Sequence, residues 1–303
     1  MGSTIVVGTD SGLWYVGPRG APPDALAGHP ITALVREGTR LWALVGGREI
    51  WATHDDGRWS TMAALDGPPA TCLVPTANGL LIGTEGAHLY SLTAGRLARI
   101  EAFEDVEDRG SWYTPWGEPA DVRSVATETD GTIYVNVHVG GVVRSRDGGR
   151  SWTPTVDIEN DVHEVRAHPT RRGTVAAASG EGLGLSRNGG DSWDFVTEGL
   201  HGHYLRAVAF ADDVVFVTAS TGSRGRRAAI YRKALEDASG FERCRRGLPE
   251  WSDGNIDTAC LDAQGAIVAF GTEDGRVFRS VDGGASWEVG AKGLPPVRSV
   301  IIV

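Results

Sequence analysis

Seven short segments of the chain share a pattern in which a polar or charged residue stands second among mostly apolar neighbours. These second residues are Thr32, Thr71, Arg123, His163, Arg206, Asp257 and Arg298. Guanidinium groups form paired hydrogen bonds with carboxylates and phosphates, and a histidine beside a carboxylate can transfer protons near neutral pH. If the seven side chains converge, Arg123, Arg206 and Arg298 are predicted to bind an anionic ligand, and His163 and Asp257 are the candidate catalytic pair.

The balance of charge among these residues supports the anion prediction. Two guanidinium groups about 6 Å apart repel by about 3 kcal/mol at an effective dielectric constant near 20. Asp257 could neutralise only one of the three arginines, so an anionic ligand would balance the others. A water-filled channel whose arginines pair with acidic loops explains the same residues without a ligand.

Further histidines stand close to the same segments. His138 ends one strand-like segment, and His203 precedes another. The chain has no ligand spacing typical of a metal motif, so no cofactor is evident and no metal site is predicted outright. His138, His163 and His203 are the side chains that could bind a divalent metal ion if they converge. Hydrogen-bonded loop histidines are the alternative.

Two long insertions add aromatic and basic side chains. The first, 101–121, is acidic and then aromatic, and the second, 218–229, carries three arginines. Long loops on a compact scaffold often carry function, and aromatic rings suit stacking on a sugar or a peptide. With His203, the aromatic residues that we expect to contact a ligand are Trp112, Tyr113, Trp116 and Trp251.

The elements that must position these residues are short strands in a repeating unit. The seven segments recur every 39 to 52 residues, and each is followed by further strand-like stretches. A period near 40 with four short strands per unit is typical of a propeller blade. The chain is therefore predicted to be all-β, a single seven-bladed β-propeller over 1–303 with four-stranded antiparallel blades. The C-terminal strand should complete the N-terminal blade, so that neither is left as an open edge.

Each of the seven segments is predicted to be the innermost strand of its blade. They are ITAL (31–34), ATCL (70–73), VRSV (122–125), VHEV (162–165), LRAV (205–208), IDTA (256–259) and VRSV (297–300).

A second repeat has the form Ser-x-Asp/Asn-Gly-Gly-x-Ser-Trp. It occurs within 144–152, 185–193 and 278–287. The Asp or Asn side chain can accept hydrogen bonds from the amides of the turn, the glycines allow positive φ, and the tryptophan can bury a large apolar area. These properties predict a structural turn. A calcium site is not predicted, because the spacing of an EF-hand loop is absent.

These boxes resemble the repeats of the Asp-box (BNR) β-propellers, which include sialidases, xyloglucan-cleaving enzymes, the sortilin ectodomain and photosystem-assembly propellers. The resemblance spans the chain and is strong in three blades. It implies that the box turns lie on the face opposite the functional site. The other face, which carries the connections between blades, would then bind the ligand. Members of this family differ in function, so the resemblance does not assign one.

The composition narrows the classes of partner. The net charge of −10 disfavours binding to a phosphate backbone, so no nucleic-acid partner is predicted. No apolar run is long enough to cross a bilayer, so no membrane partner is predicted either. Without a secretory leader, the three cysteines Cys72, Cys244 and Cys260 are expected to be reduced thiols in a cytoplasmic protein.

Two classes of function follow from these residues. The first is a binding or assembly module that holds an anionic small molecule, a glycan or a partner protein at the mouth of the central channel. The alternative is a hydrolase or lyase that acts on an anionic or glycan-like substrate there, with metal assistance from the histidines as a variant. A closed pocket with convergent groups would favour the enzyme, and a broad exposed patch would favour the binding module.

Overall fold

The seven predicted blades are present in the structure, a computed structural model that describes residues 3–17 and 26–303. Within these residues the chain forms seven antiparallel sheets, numbered here as blades 1 to 7 in chain order. Blade 1 contains β1 (Ile5–Thr9), β2 (Gly12–Val16) and β27 (Val297–Ile302). Blade 2 contains β3 (Ile31–Glu37), β4 (Arg40–Val45), β5 (Glu49–Thr53) and β6 (Trp59–Ala64). Blade 3 contains β7 (Ala70–Thr76), β8 (Gly79–Thr84), β9 (Leu89–Thr93) and β10 (Arg96–Arg99).

The remaining blades have the same four-stranded order. Blade 4 contains β11 (Asp121–Thr127), β12 (Ile133–His138), β13 (Gly141–Ser145) and β14 (Thr153–Val156). Blade 5 contains β15 (Val162–Ala167), β16 (Val175–Ser179), β17 (Gly182–Ser186) and β18 (Asp194–Val196). Blade 6 contains β19 (Tyr204–Ala211), β20 (Val214–Ser220), β21 (Ala229–Ala234) and β22 (Glu242–Arg243). Blade 7 contains β23 (Leu261–Gln264), β24 (Ile267–Gly271), β25 (Val277–Ser280) and β26 (Glu288–Ala291). Short 3₁₀ turns lie at Glu85–Ala87, Glu101–Phe103, Arg109–Ser111 and Ile158–Asn160.

The ring closes through the last strand, as the sequence predicted. The C-terminal strand β27 pairs antiparallel with β1, so that Ile302 faces Ile5 and Val300 faces Val7. This pairing removes the free edge that β1 would otherwise present. A fourth strand of blade 1 would fall on residues 18–25, outside the described residues.

The hydrophobic core lies between neighbouring blades. The second strands are buried on both faces, and every residue of β12 and of β16 is buried. A continuous apolar run of this length is the pattern expected of a strand covered on both sides. One apolar cluster joins Leu183 and Leu185 of blade 5 to Leu205 and Val217 of blade 6, so the packing of adjacent sheets holds the ring together.

One strand of each blade lines the central channel, and we call it the inner strand: it is β27 in blade 1 and the first strand in chain order in blades 2 to 7. The inner strands contact one another in a closed circle. Six of them carry a β-bulge, and the extra residues at the bulges include Thr32, Thr71, Arg123, His163, Arg206 and Arg298. A bulge leaves its extra residue out of the ladder and redirects its side chain. This geometry explains why these six positions are not apolar.

The predicted position of the inner strand of blade 7, residues 256–259, is wrong. Residues 256–260 form a turn in which the Cys260 N–H donates to the Asp257 carbonyl, and the strand begins at Leu261. Residues 256–259 lie outside the ladder with β24, although the carbonyl oxygen of Cys260 still accepts a hydrogen bond from the Gly271 N–H of that strand at 2.9 Å. The Thr258 hydroxyl lies 3.2 Å from the carbonyl oxygens of both His163 and Arg206, which draws this segment across the channel.

Side chains bridge the inner strands of neighbouring blades. Backbone N–H groups of one strand donate to side-chain oxygens of another: Val165 to Ser124 (2.9 Å), Val208 to Glu164 (3.0 Å), Ile302 to Asp262 (2.8 Å) and Leu34 to Ser299 (3.0 Å). Inner strands of different blades belong to different sheets, so these bonds satisfy backbone groups that would otherwise be buried without partners.

The three boxes form the same hydrogen-bonded turn. In the blade 4 box, the Gly149 N–H donates to Ser145 Oγ at 2.8 Å, and the Ser151 N–H donates to Asp147 Oδ1 at 2.9 Å. In the blade 7 box, Trp287 is buried and its indole N–H donates to the Gly284 carbonyl at 3.1 Å. The Ser and Asp or Asn side chains of the repeat bond within the turn in all three boxes, which agrees with the structural role predicted for it, whereas the indole N–H of Trp193 in the blade 5 box has no partner.

The box carboxylates make the stability of the fold depend on pH in the acidic range. The pKa of Asp282 is lowered to about 2, because the Ser286 hydroxyl and amide and the Ser280 hydroxyl donate hydrogen bonds to the carboxylate. A carboxyl group with a lowered folded pKa contributes stability above its ordinary pKa, and this contribution is lost as the pH falls through the folded pKa. We therefore expect Asp282→Asn, which copies Asn188 of the blade 5 box, to flatten the dependence of Tm on pH between about 4 and 2.

Thermal denaturation in a pH series measures this effect. The reciprocal variant Asn188→Asp is the matched control and should steepen the same part of the curve. Identical pH dependence in Asp282→Asn and wild type would contradict the assignment.

In the part of the chain that the structure describes, Cys72, Cys244 and Cys260 are free thiols. The helices of that part are all too short to cross a membrane.

Candidate functional site

Two cavities lie along the inner strands. The larger has a volume of about 520 Å³, and its lining includes Trp116, Arg123, His138, Glu164 and Arg166. The smaller has a volume of about 200 Å³, and its lining includes Arg206, Arg224, Asp257, Glu273 and Arg298. The ring of seven side chains predicted from the sequence is therefore divided. Thr32, Thr71 and Arg123 line the larger cavity, whereas Arg206, Asp257 and Arg298 line the smaller one.

Arg298 is neutralised by a carboxylate of blade 1. Its Nε lies 2.7 Å from Oδ1 of Asp10 and its Nη2 lies 2.8 Å from Oδ2, a paired contact with both oxygens. Asp10 follows β1 directly, and the hydrogen bonds from Arg298 lower the pKa of its carboxyl group. Glu273 is a second acid near the same guanidinium, at 3.9 Å. Arg298 therefore has counter-ions within the protein.

Arg206 is also paired. Its Nη1 donates to Oδ1 of Asp257 at 2.9 Å, and its guanidinium lies over the ring of Tyr204 at 5.3 Å. Burial acts to raise the pKa of Asp257, but the positive charges of Arg206 and Arg123 outweigh it and lower that pKa. The pair is close to neutral, which leaves little of its charge for a ligand.

Arg123 differs from the other two arginines. Among the described residues, no carboxylate lies within 4.0 Å of its guanidinium. Burial lowers the pKa of Arg123 and the nearby charge of Arg206 lowers it further, yet an arginine stays protonated in proteins. Arg123 therefore lines the larger cavity without a carboxylate in direct contact, although the charges of Asp257 and Asp161 act on its guanidinium from farther away.

His163 lies behind the channel wall instead of facing the channel. Its side chain is fully buried. The ring Nδ1 lies 2.7 Å from the Leu205 carbonyl oxygen, and Nε2 lies 3.4 Å from Oδ2 of Asp161. Burial lowers the pKa of His163 more than the Asp161 carboxylate raises it. The structure thus places Asp161 beside His163, and not Asp257, which the sequence suggested as its catalytic partner.

His138 completes a cluster with these two residues. It ends β12, and its Nε2 lies 2.9 Å from Oδ1 of Asp161. Asp161 stands in a left-handed turn (φ 44°) immediately before β15. Burial acts to raise the pKa of Asp161, but the contacts with His138 and His163 outweigh it and hold that pKa well below its usual range. One potential ligand atom from each of the three side chains lies within 4.8 Å of the others.

The cluster differs from the three histidines that the sequence suggested for a metal. In the described residues Asp161 takes the place expected for His203, which is exposed on the loop before β19 and lies outside the cluster. The sequence signal for Asp161 is its position two residues before His163, at the start of a bulged strand.

The aromatic candidates do not converge. Trp116 lines the larger cavity, is 59% exposed, and has its ring 5.3 Å from that of His138. Trp112 packs against Phe103 at 5.8 Å as part of the apolar core, and Tyr113 is exposed. Trp251 is covered by the Arg243 guanidinium, 3.7 Å from its ring. Trp112, Tyr113 and Trp251 line neither cavity.

Sequence reasoning missed the ion pair that forms the wall of the larger cavity. Arg166 Nη2 lies 2.8 Å from Oε1 of Glu164, whose side chain is almost fully buried. Burial raises the pKa of Glu164, against the effect of Arg166. The signal in the sequence was a pair of opposite charges two residues apart in an inner strand. Residues with this spacing point to the same side of a strand.

An acidic residue of the first insertion forms ion pairs with its own blade and loop. Glu104 accepts ionic contacts from Arg99 at 2.7 Å, Arg109 at 2.8 Å and His88 at 2.9 Å. In the second insertion, Arg224 reaches the smaller cavity. Glu104 of the acidic half therefore pairs with basic groups of its own blade and loop, and the insertion reaches the larger cavity through Trp116 and Asp121.

Comparison with known proteins identifies the fold. No protein-family model matches the chain, and no curated protein matches it. Among solved structures, an ancestral GH74 enzyme aligns with a TM-score of 0.63 and 14% identity over 100% of this chain and 40% of its own. YCF48 bound to D1 peptide aligns with a TM-score of 0.56 and 13% identity over 99% and 87%. The WD40 β-propeller domain of Doa1 aligns with a TM-score of 0.63 and 13% identity over 99% and 86%.

At these identities the similarity shows the seven-bladed propeller fold alone. The chain spans less than half the length of the GH74 enzyme.

Proposed function

We propose that this protein is a binding propeller of the Asp-box type that accepts a carboxylate-bearing ligand in its larger cavity. The observation that carries this proposal is the guanidinium of Arg123, which lines the larger cavity and has no carboxylate within 4.0 Å among the described residues. A half-buried charge without a counter-ion is unfavourable, and a bound carboxylate would form charge-assisted hydrogen bonds with it. The Asp-box assignment rests on the three turns that share one hydrogen-bonding pattern.

The surroundings of Arg123 favour an organic carboxylate over a simple inorganic anion. Trp116 presents an exposed ring at the same cavity, and such a ring can stack on the apolar or sugar part of a ligand. Asp121 also lines the cavity, and burial raises the pKa of its carboxyl group. It could accept a hydrogen bond from a ligand hydroxyl or amide. A ligand with both an anionic end and a polar organic body fits these three groups.

The positions of the predicted catalytic residues favour binding over hydrolysis or lyase chemistry. His163 is fully buried, and the carboxylate of Asp257 is held by Arg206. A general acid or base must reach the proton that it transfers, and neither group lines the larger cavity. The solved structure of YCF48 bound to D1 peptide is a precedent for a peptide on this fold. A peptide carboxylate is therefore one of the two ligand sources that we test.

Isothermal titration calorimetry tests the proposal. Small carboxylates such as glucuronate and citrate form one arm, and an acidic peptide together with its amidated form makes up the other. We expect saturable binding in at least one arm and a loss of about 10- to 100-fold in affinity in Arg123→Gln, as removal of a charge-assisted hydrogen bond predicts. The peptide arm should lose binding when its carboxylates are amidated.

Arg279→Gln is the matched control, because Arg279 pairs with Glu288 at 2.6 Å on an outer part of blade 7. This variant should bind like wild type. Equal affinities of Arg123→Gln and wild type would overturn the proposal, and so would a lack of binding in both arms.

A further inference from the structure

The cluster of His138, Asp161 and His163 is built from three separate parts of the chain. His138 comes from the end of β12, Asp161 from the turn before β15, and His163 from the bulge of β15. The side chains of both histidines are buried, whereas that of Asp161 is 29% exposed. One side of the cluster is therefore open, and the other is held by the blade interior.

The hydrogen bond of His163 sets the direction of its lone pair. A carbonyl oxygen can only accept, so Nδ1 of His163 carries the proton that is donated to Leu205. In the neutral ring Nε2 then has a lone pair, and this lone pair faces Oδ2 of Asp161 at 3.4 Å. A cation bound between this lone pair and the carboxylate oxygen would make a favourable contact with each of them.

Unpartnered polar atoms also indicate that the cluster can hold a cation. In the described part of the chain, His138 Nδ1, Asp161 Oδ1 and His163 Nε2 are buried and have no well-aligned hydrogen-bond partner. Oδ1 of Asp161 lies 2.9 Å from Nε2 of His138, but the contact does not have the direction of a hydrogen bond. Buried polar groups without partners are rare in native proteins. An ion bound beside Asp161 would satisfy Asp161 Oδ1 and His163 Nε2, whereas His138 Nδ1 is the ring nitrogen that does not contact Asp161.

We propose that His138, Asp161 and His163 bind a divalent transition-metal ion of the zinc class. Two imidazoles and one carboxylate form the type of three-ligand set that leaves one position open for water or a ligand. Ligands at about 2.0–2.1 Å from a tetrahedral zinc ion are separated by about 3.3 Å. The two contacts of Asp161 with the imidazole nitrogens, 2.9 and 3.4 Å, bracket this separation.

The surroundings of His163 are those expected around a metal ligand. The Leu205 carbonyl orients His163 through the ring nitrogen that does not face Asp161, which is the usual second contact of a metal-bound histidine. The edge of Tyr204 packs on the His163 ring at 4.7 Å, and Trp116 lies 5.3 Å from the His138 ring. These contacts hold both imidazoles in place.

The nearby arginines affect which ligand the metal would take. Arg123 and Arg206 both act on His163 through their positive charge, but Arg206 is paired with Asp257. A divalent cation beside the unpaired Arg123 leaves excess positive charge, so the open position suits an anion. The metal site extends the proposed function without depending on it.

Metal binding can be measured without any carboxylate ligand. The full chain is stripped with a chelator, dialysed into a non-coordinating buffer, and titrated with Zn²⁺ by calorimetry and with Co²⁺ by visible absorption. We expect one equivalent of metal per chain and a cobalt spectrum typical of four ligands. Mg²⁺ and Ca²⁺ should not compete, because these ions prefer sets composed only of oxygen ligands.

Asp161→Asn is the decisive variant, because it keeps the size of a partly exposed side chain and removes the charged ligand. Loss of an outer contact of a metal ligand typically costs about 10- to 100-fold in affinity, so loss of the ligand itself should cost more than about 100-fold. His163→Ala should also lose binding. Because His163 is buried, circular dichroism must show that the His163→Ala variant is folded. If that variant unfolds, Asp161→Asn decides the question.

His54→Ala is the matched control, since His54 is exposed on blade 2 and contacts Ser60. It should keep one equivalent of metal. The proposal is overturned if wild type binds less than about a tenth of an equivalent, or if Asp161→Asn binds as tightly as wild type. Preference for Ca²⁺ or Mg²⁺ over Zn²⁺ would also overturn it.

Discussion

Deletion of residues 297–303 is expected to abolish cooperative folding. These residues include β27, which supplies the inner strand of blade 1 and pairs with β1. Val297, Val300 and Ile302 are each at most 3% exposed. Burial of such side chains stabilises a protein by about 1.5–3 kcal/mol each, and total stability is about 5–15 kcal/mol. The loss of three, together with a strand ladder, is comparable to the whole stability of the domain.

Circular dichroism during urea denaturation measures this effect. We expect no sigmoidal transition for the truncated chain and partial recovery when a synthetic peptide of residues 297–303 is added. Arg298→Ala is the control, because it keeps the strand and removes only the half-exposed ion pair with Asp10. Such pairs contribute about 0–1 kcal/mol. A wild-type transition in the truncated chain would show that the last strand does not close the ring.

Glu164→Ala is expected to destabilise the protein by about 1–3 kcal/mol for each buried donor that it leaves without an acceptor. The Glu164 end of its ion pair with Arg166 is buried, whereas the Arg166 side chain is 39% exposed. Glu164 is 1% exposed. Its carboxylate accepts hydrogen bonds from the N–H groups of Val208 at 3.0 Å and Ala259 at 3.4 Å, and it pairs with Arg166 at 2.8 Å. The substitution leaves two backbone donors and one guanidinium without their acceptor.

Urea denaturation of matched variants separates this effect from a general loss of charge. Glu288→Ala removes an exposed acid that pairs with Arg279, and we expect a change below about 1 kcal/mol. The double variant Glu164→Met with Arg166→Met should recover only the part of the loss that comes from the unpaired guanidinium, because the N–H groups of Val208 and Ala259 still lack their acceptor. A loss below about 1 kcal/mol in Glu164→Ala would contradict the role that we assign to this side chain.

The position of Glu164 also connects the fold to the candidate site. Its carboxylate holds the turn of residues 256–260 through Ala259, and Thr258 of the same turn contacts the carbonyl oxygens of His163 and Arg206. The turn carries Asp257, which neutralises Arg206. The residues that stabilise the centre of the ring therefore also decide which arginine keeps a free charge.

The architecture could be predicted from the sequence because it rests on local patterns. The period near 40 residues, the apolar second strands and the glycine-rich box turns are properties of short segments, and each determines its own strand or turn. The same patterns identified the polar residue that the structure places at the bulge in six inner strands. The inner strand of blade 7 was misplaced, because contacts from Glu164, His163 and Arg206 hold residues 256–260 outside the ladder.

Only the tertiary structure decided which of these side chains meet. Asp10 and Arg298 are 288 residues apart, and their contact exists because the last strand joins the first blade. Asp161 lies between His138 and His163 because two neighbouring blades and a left-handed turn converge there. Spacing along the chain places a residue on a strand, but the direction of its side chain at a bulge depends on the packing of adjacent blades. For this reason the sequence predicted the ring of polar positions, whereas the folded structure determined its division into a free arginine, two neutralised arginines and a histidine–aspartate cluster.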